Sequence, residues 1–167
     1  AMVCWTTTLW SLPGNRAVAC SPNARYGIYE VEAVGDTSRL LAGERLVLGV
    51  MTAETALAKS GASAWSLMAE MDGADLAGSL CCHPLAALGF DHEVPVLTAD
   101  FVAVDTGTGL VHVAPGLGPD DFRLGVQHDL PVLETVGADG RYVASVPYFA
   151  GATVVSADGR RGDADAR

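Results

Sequence analysis

Apolar positions in this chain come in short runs, many of them alternating with polar ones, and glycine, proline and small polar residues interrupt them often. Alternation with period two is the mark of a half-buried strand. It predicts strands over residues 3–8, 17–20, 26–34, 65–71, 80–83, 94–97, 101–104 and 110–114. The β-branched and aromatic content of these runs agrees. Leu46, Val50, Ala53 and Leu57 instead fall at helical spacing, which predicts a helix over 43–59 ended by Gly61. A second helix is expected over 120–127, where Pro119, Asp120 and Asp121 stand at the end favoured by the helix dipole. Leu12-Pro13-Gly14-Asn15, Ser21-Pro22-Asn23 and Gly107-Thr108-Gly109 read as turns. Ala138-Asp139-Gly140 reads as a hairpin turn between residues 132–136 and 142–146. Many short strands with few helices imply a β-rich α+β domain, β-barrel-like with a few peripheral helices. Residues 1–155 are expected to form it, with 156–167 a frayed tail or cut linker and Ala1-Met2 a cloning scar plus a start residue.

Composition narrows the class. Half of the 167 residues are hydrophobic and 18% are charged, which excludes global disorder. No apolar run approaches membrane-spanning length and no basic-then-apolar leader opens the chain, so a cytoplasmic protein is expected. Cys4, Cys20, Cys81 and Cys82 have no C-x-x-C spacing and read as reduced, mostly buried thiols. The formal net charge is −10. Affinity for nucleic acid comes largely from phosphate neutralisation, so such a chain is not built to grip a long RNA unaided. Lys59 is the only lysine, and no G-x-x-x-x-G-K-[ST] loop occurs, so ATP-dependent activation chemistry is not expected in this chain.

Four segments bear candidate chemistry. Thr6, Thr7 and Thr8, followed by Trp10, Ser11 and Asn15, place several hydroxyls at a strand end beside a turn, where they can orient a water or a ribose hydroxyl. A Thr-rich strand beside an aromatic core residue is the plainer reading. His112 lies in a β run, followed by Gly116, Leu117 and Gly118 and then by Asp120 and Asp121 at a helix start. Taken singly, a hydrogen-bonded core histidine and capping aspartates account for them. Cys81-Cys82-His83 with His92 suggests zinc only weakly, because adjacent strand residues point to opposite faces. The pair Arg160-Arg161 is read as solvated.

The first two segments together resemble the two editing motifs of isoleucyl-tRNA synthetase. Trp5-Thr6-Thr7-Thr8, Trp10, Leu12-Pro13 and Asn15-Arg16 are similar to its threonine-rich motif. Gly107-Thr108-Gly109, His112, Ala114-Pro115, Gly116, Gly118 and Asp120-Asp121-Phe122 are similar to the second motif, in the same order and separation. Gly73-Ala74-Asp75-Leu76-Ala77-Gly78 with His83-Pro84 looks like a third, weaker element. The resemblance implies a β-rich insertion (the connective peptide) in a class I synthetase. Such a domain removes valine wrongly attached to isoleucine tRNA, with valyl adenylate as a second candidate substrate. A second, hydrolytic sieve is needed because one methylene gives only about 1–3 kcal/mol of discrimination, a value already established for this same enzyme class.

Carried over residue by residue, the resemblance implies that Asp121 binds the α-ammonium of the misattached amino acid. His112 would be the wall that rejects isoleucine, and Thr7 and Thr8 would position the ester and the attacking water, with Thr6 supporting them. Asn15 would lie near the terminal adenosine, and Trp10, Ser11, Gly116, Leu117 and Gly118 would complete the substrate-binding surface. No general base, metal or cofactor is implied, and ATP belongs to the parent synthetase only. The implied partners are the 3′ end of aminoacylated tRNA(Ile), its valine moiety and the rest of the parent synthetase, with no membrane. Three positions depart from the family pattern: Leu9 replaces proline, Ser11 replaces threonine, and Leu117 replaces a histidine. The loss of a polar group at Leu117 leaves a non-hydrolytic module that binds the aminoacylated 3′ end as the alternative. A metal-dependent hydrolase using His112, Asp120 and Asp121 is the third reading.

Overall fold

A computed structural model describes residues 1–155 and 162–166. Strands β1 (Ala17–Cys20), β2 (Arg25–Val34), β3 (Arg45–Gly49), β4 (Ala62–Asp72), β5 (Leu80–Cys82), β6 (Glu93–Thr98) and β7 (Leu110–Val113) form two sheets. One has four strands in the order β5-β6-β1-β7, the other three in the order β3-β2-β4. Helices α1 (Ala53–Lys59), α2 (Gly73–Leu76) and α3 (Pro119–Gln127) are short. The β-rich α+β expectation holds, and neither sheet is closed into a barrel.

The chain divides into two compact units. The first comprises Ala1–Trp5, Val18–Ser79 and Pro95–Val111. Its antiparallel sheet is centred on β2, which pairs Tyr26 with Gly49 of β3 and Val31 with Trp65 of β4. Tyr29 and Val31 of β2, with Leu46 and Leu48 of β3, point to one face at period two and are buried with Ala53, Ala56 and Leu57 of α1. In the same unit Val18 and Ala19 of β1 pair in parallel with Val96 and Leu97 of β6. All four residues of β1 are buried, which is why its sequence is uninterruptedly apolar. The Gly73–Gly78 stretch is structural here. A Cβ on Gly73 would stand 1.9 Å from the Ser21 carbonyl oxygen, so only glycine fits.

The second unit comprises Thr6–Ala17, Leu80–Val94 and the described residues from His112 onward. Its core is aromatic: Phe90, Tyr142, Val146, Phe149, Ala152 and Val154 are buried together, with Trp10 packed against them. Asp163–Ala166 forms a 3-10 helix whose Ala164 joins that core. Of the expected tail 156–167, residues 156–161 and 167, with Arg160-Arg161, lie outside the described residues.

Four local expectations give way to tertiary structure. Residues 45–49 are a strand, because β2 offers them a ladder that local helical spacing does not foresee. The threonine run is no strand: Ser11 N–H donates to the Thr8 carbonyl at 2.9 Å and a 3-10 helix, Leu9–Gly14, follows. Residues 101–104 form no strand, and the 138–140 turn is flanked by a single bridge, Val136 to Tyr142, rather than a ladder. Of the four cysteines, expected to be mostly buried, only Cys20 is buried.

Candidate functional site

The hydroxyl run from Thr6, His112 and Val113 at the end of β7, and the start of α3 belong to the second unit, and the fold joins them through hydrogen bonds. The turn at Thr8–Ser11 folds the run back on itself. Thr6 Oγ1 lies 3.3 Å from Thr8 Oγ1, and Thr8 Oγ1 lies 3.2 Å from Ser11 Oγ. Ser11 Oγ in turn lies 2.9 Å from Nε2 of His112, a residue 101 positions away in the chain. Asn15 reaches the other side of the ring, with Nδ2 at 3.5 Å from His112 Nδ1 and 2.9 Å from the Ala17 carbonyl oxygen. The Arg16 N–H donates to the Val113 carbonyl at 2.8 Å, which ties the end of the 3-10 helix to the strand carrying His112.

Asp121 sits in the first turn of α3 without capping it. Its Oδ2 accepts the N–H of buried Ala114 at 2.9 Å, which straps the helix start to the end of β7. Asp120 instead pairs with Arg123 on the exposed side. Burial lowers the His112 pKa and the nearby Asp121 charge partly opposes this, so the ring is neutral near pH 7 with a carboxylate in its field. Thr7 is exposed and takes no part in the network. Trp10 is half-buried, and its carbonyl accepts the Tyr142 hydroxyl at 2.6 Å.

The glycine loop between β7 and α3 is set by close approach. A Cβ on Gly116 would stand 2.1 Å from the Leu133 carbonyl oxygen, and one on Gly118 would meet the Asp121 carboxylate at 3.4 Å. Leu117 folds over the 3-10 helix, its Cδ1 3.2 Å from where a Cβ on Gly14 would stand.

The structure thus brings Thr6, Thr8, Ser11, Asn15, His112 and Asp121 into one neighbourhood, with Gly116, Leu117 and Gly118 on the adjoining loop. Among the described residues no three His, Cys, Asp or Glu side chains cluster as metal ligands. In the Cys81-Cys82-His83 segment Cys82 is exposed, whereas buried His83 stacks on Phe90 with ring centroids 4.9 Å apart. Sequence reasoning missed the Asn15–His112 contact and the Tyr142 clamp on Trp10, since neither partner is near in the chain. Among the described residues no helix is long and apolar enough to cross a membrane.

This fold is shared with solved leucyl-tRNA synthetase editing domains. The chain superposes on "The crystal structure of GlLeuRS-CP1" with a TM-score of 0.59 at 21% identity, over 75% of this chain and 42% of that one. The P. knowlesi cytosolic leucyl-tRNA synthetase editing domain gives 0.59 at 12% identity, over 77% and 51%. No family model matches. In sequence the chain is homologous to part of isoleucine–tRNA ligase. It is 39% identical to the Gluconobacter oxydans protein over 155 residues, 93% of this chain and 16% of that protein. It is 33% identical to the Pelagibacter ubique protein over 94% of this chain and 17% of that one. The chain therefore spans about one sixth of the length of these relatives.

Proposed function

We propose that this domain hydrolyses the ester of Val-tRNA(Ile), with valyl adenylate as a second substrate, and performs no aminoacylation itself. The observation that carries the reading is the hydroxyl chain from Thr6 through Thr8 and Ser11 to His112, with Asp121 close enough to act on the His112 ring. A fixed carboxylate is the natural partner of an α-ammonium group. The α3 start and the Ala114 N–H hold it in place before substrate arrives. The hydroxyls then orient a water or a ribose hydroxyl towards the ester, so catalysis rests on positioning and electrostatics rather than on a general base. In this reading Thr7 contacts the substrate ester from its exposed position, and His112 limits the space for a side chain larger than valine. The domain needs no metal or cofactor. The rest of a parent synthetase holds the tRNA phosphates, consistent with the −10 charge of this chain, and the setting is cytoplasmic.

The test is release of free valine from Val-tRNA(Ile) by the 167-residue chain, with and without a chelator. Valine release that survives chelation is expected. Tight retention of the aminoacylated 3′ end without release would instead establish the binding-module alternative that Leu117 suggests.

A further inference from the structure

The geometry assigns Ser11 as a positioning residue: it sets the direction of the protons along the Thr6–Thr8–Ser11–His112 chain, so that Thr8 meets the reacting group with a lone pair rather than a proton. The hydrogen-bond directions stand on geometry alone, and their catalytic consequence rests on the editing reading above.

The directions follow from groups that have no choice. Asn15 is 2% exposed, and its Nδ2 faces the Ala17 carbonyl oxygen, which can only accept. That orients the amide, so its nitrogen is also the atom nearest His112 Nδ1. Nδ1 therefore carries the lone pair. Burial keeps the ring neutral, so its single proton lies on Nε2 and is donated to Ser11 Oγ. A serine hydroxyl has one proton to give and two lone pairs with which to accept. Ser11 Oγ lies 2.6 Å from the Thr8 carbonyl oxygen, another obligate acceptor, and its proton is committed there. Towards Thr8 Oγ1, Ser11 can then only accept, so Thr8 gives its proton to Ser11. Thr6 Oγ1 accepts the Thr8 N–H at 3.1 Å and donates to Thr8 Oγ1.

Ser11 Oγ is thereby saturated, with one bond donated and two accepted. Thr8 Oγ1 has donated one and accepted one, and a single lone pair remains on an exposed residue. Such a group holds the O–H of an attacking water or ribose hydroxyl. It has no proton for the ester oxygen as negative charge develops there. Thr8 thus orients the nucleophile, and stabilisation of the oxyanion falls to another group.

Long-range proton–nitrogen NMR of the His112 ring in the 167-residue chain tests this directly. The wild type is expected to show a neutral ring protonated on Nε2. Ser11→Ala removes the acceptor of the Nε2 proton but leaves the Asn15 amide on Nδ1, so the ring should stay protonated on Nε2 with its Nε2 and proton shifts moved by the lost hydrogen bond; Ser11→Thr restores the hydroxyl and should restore the wild-type shifts. On Val-tRNA(Ile), Ser11→Ala is expected to lower kcat about tenfold with KM little changed, and Ser11→Thr to recover it. A wild-type ring protonated on Nδ1, or Nε2 shifts and kcat unmoved in Ser11→Ala, would overturn the assignment. An Nε2–H ring in a chain that releases no valine would support the directions and overturn the editing reading instead.

Discussion

His112 and His83 lie in the same unit with both ring nitrogens engaged, yet their partners differ in kind. His112 meets side chains, Ser11 at 2.9 Å and Asn15 at 3.5 Å. His83 meets backbone: Nε2–H donates to the Leu12 carbonyl at 3.1 Å, and Nδ1 accepts the Leu85 N–H at 3.0 Å. Phe90 stacks on its ring, and His92 packs beside it at 4.8 Å between centroids. Arg16 donates to His92 Nε2 at 2.8 Å and to the Asn15 carbonyl, so this second cluster buttresses the underside of the 3-10 helix that carries the hydroxyls. A ring held by backbone is locked into one place and serves the fold. A ring held by hydroxyl and amide side chains shares its protons with groups able to meet a substrate. The two rings differ in burial, His83 buried and His112 half-buried, and in the kind of partner that holds them.

The largest effect should come from the charge beside His112. Asp121→Asn keeps an acceptor for the Ala114 N–H but removes the anchor for a cationic substrate. Loss of a charge-assisted contact of about 2–3 kcal/mol corresponds to a drop in Val-tRNA(Ile) deacylation on the order of a hundredfold. Thermal unfolding should barely move; undiminished deacylation in this variant would remove Asp121 from the mechanism.

An effect of similar size, on stability instead of activity, belongs to the other histidine. His83→Ala strands the Leu85 N–H and the Leu12 carbonyl and leaves a void against Phe90, at a cost of about 2–4 kcal/mol of stability. Denaturant titration should show that loss, while any valine-over-isoleucine preference of the folded variant stays as in wild type. A selectivity change here would erase the contrast between the two rings.

Acid should act through His83 as well. Its pKa is lowered to about 4, mainly by burial and then by the neighbouring His92. A histidine depressed in the fold stays neutral there while the unfolded chain takes up a proton near pH 6.5. Its contribution is therefore intact above pH 6.5 and falls progressively towards pH 4, by at most about 3 kcal/mol at 1.36 kcal/mol per pH unit. Burial shifts His112 in the same direction. Unfolding free energy measured from pH 7 to pH 4 should show this decline in wild type and a shallower one in His83→Gln; identical slopes would mean that His83 is not buried neutral.

The smallest effect is expected at His112 itself. His112→Ala opens space, and cleavage of Ile-tRNA(Ile) relative to Val-tRNA(Ile) should rise about tenfold, the scale of one methylene's worth of discrimination. Strict rejection of isoleucine in that variant would place the sieve elsewhere.

Much of this was legible along the chain. The apolar or alternating runs that become β1, β2, β4, β6 and β7 announce themselves, as does α3 through Pro119 and its paired aspartates. The hydroxyl run, His112 and Asp121 stand out as chemistry because unusual residue types cluster at turn and helix boundaries. Residues 45–49 do not, because helical spacing and a ladder with β2 compete there and only the ladder is buried.

By itself, then, the sequence determined which side chains are available and most of the local elements, since those depend on neighbours a few residues away. Tertiary structure alone decided that Thr8 turns back to Ser11, that Ser11 meets a ring 101 residues on, that Asp121 straps Ala114 rather than capping its helix, and that one histidine is sealed by backbone while the other faces hydroxyls. The reason is physical: a hydrogen bond has a direction and a partner, and when that partner is distant in the chain no local pattern specifies either.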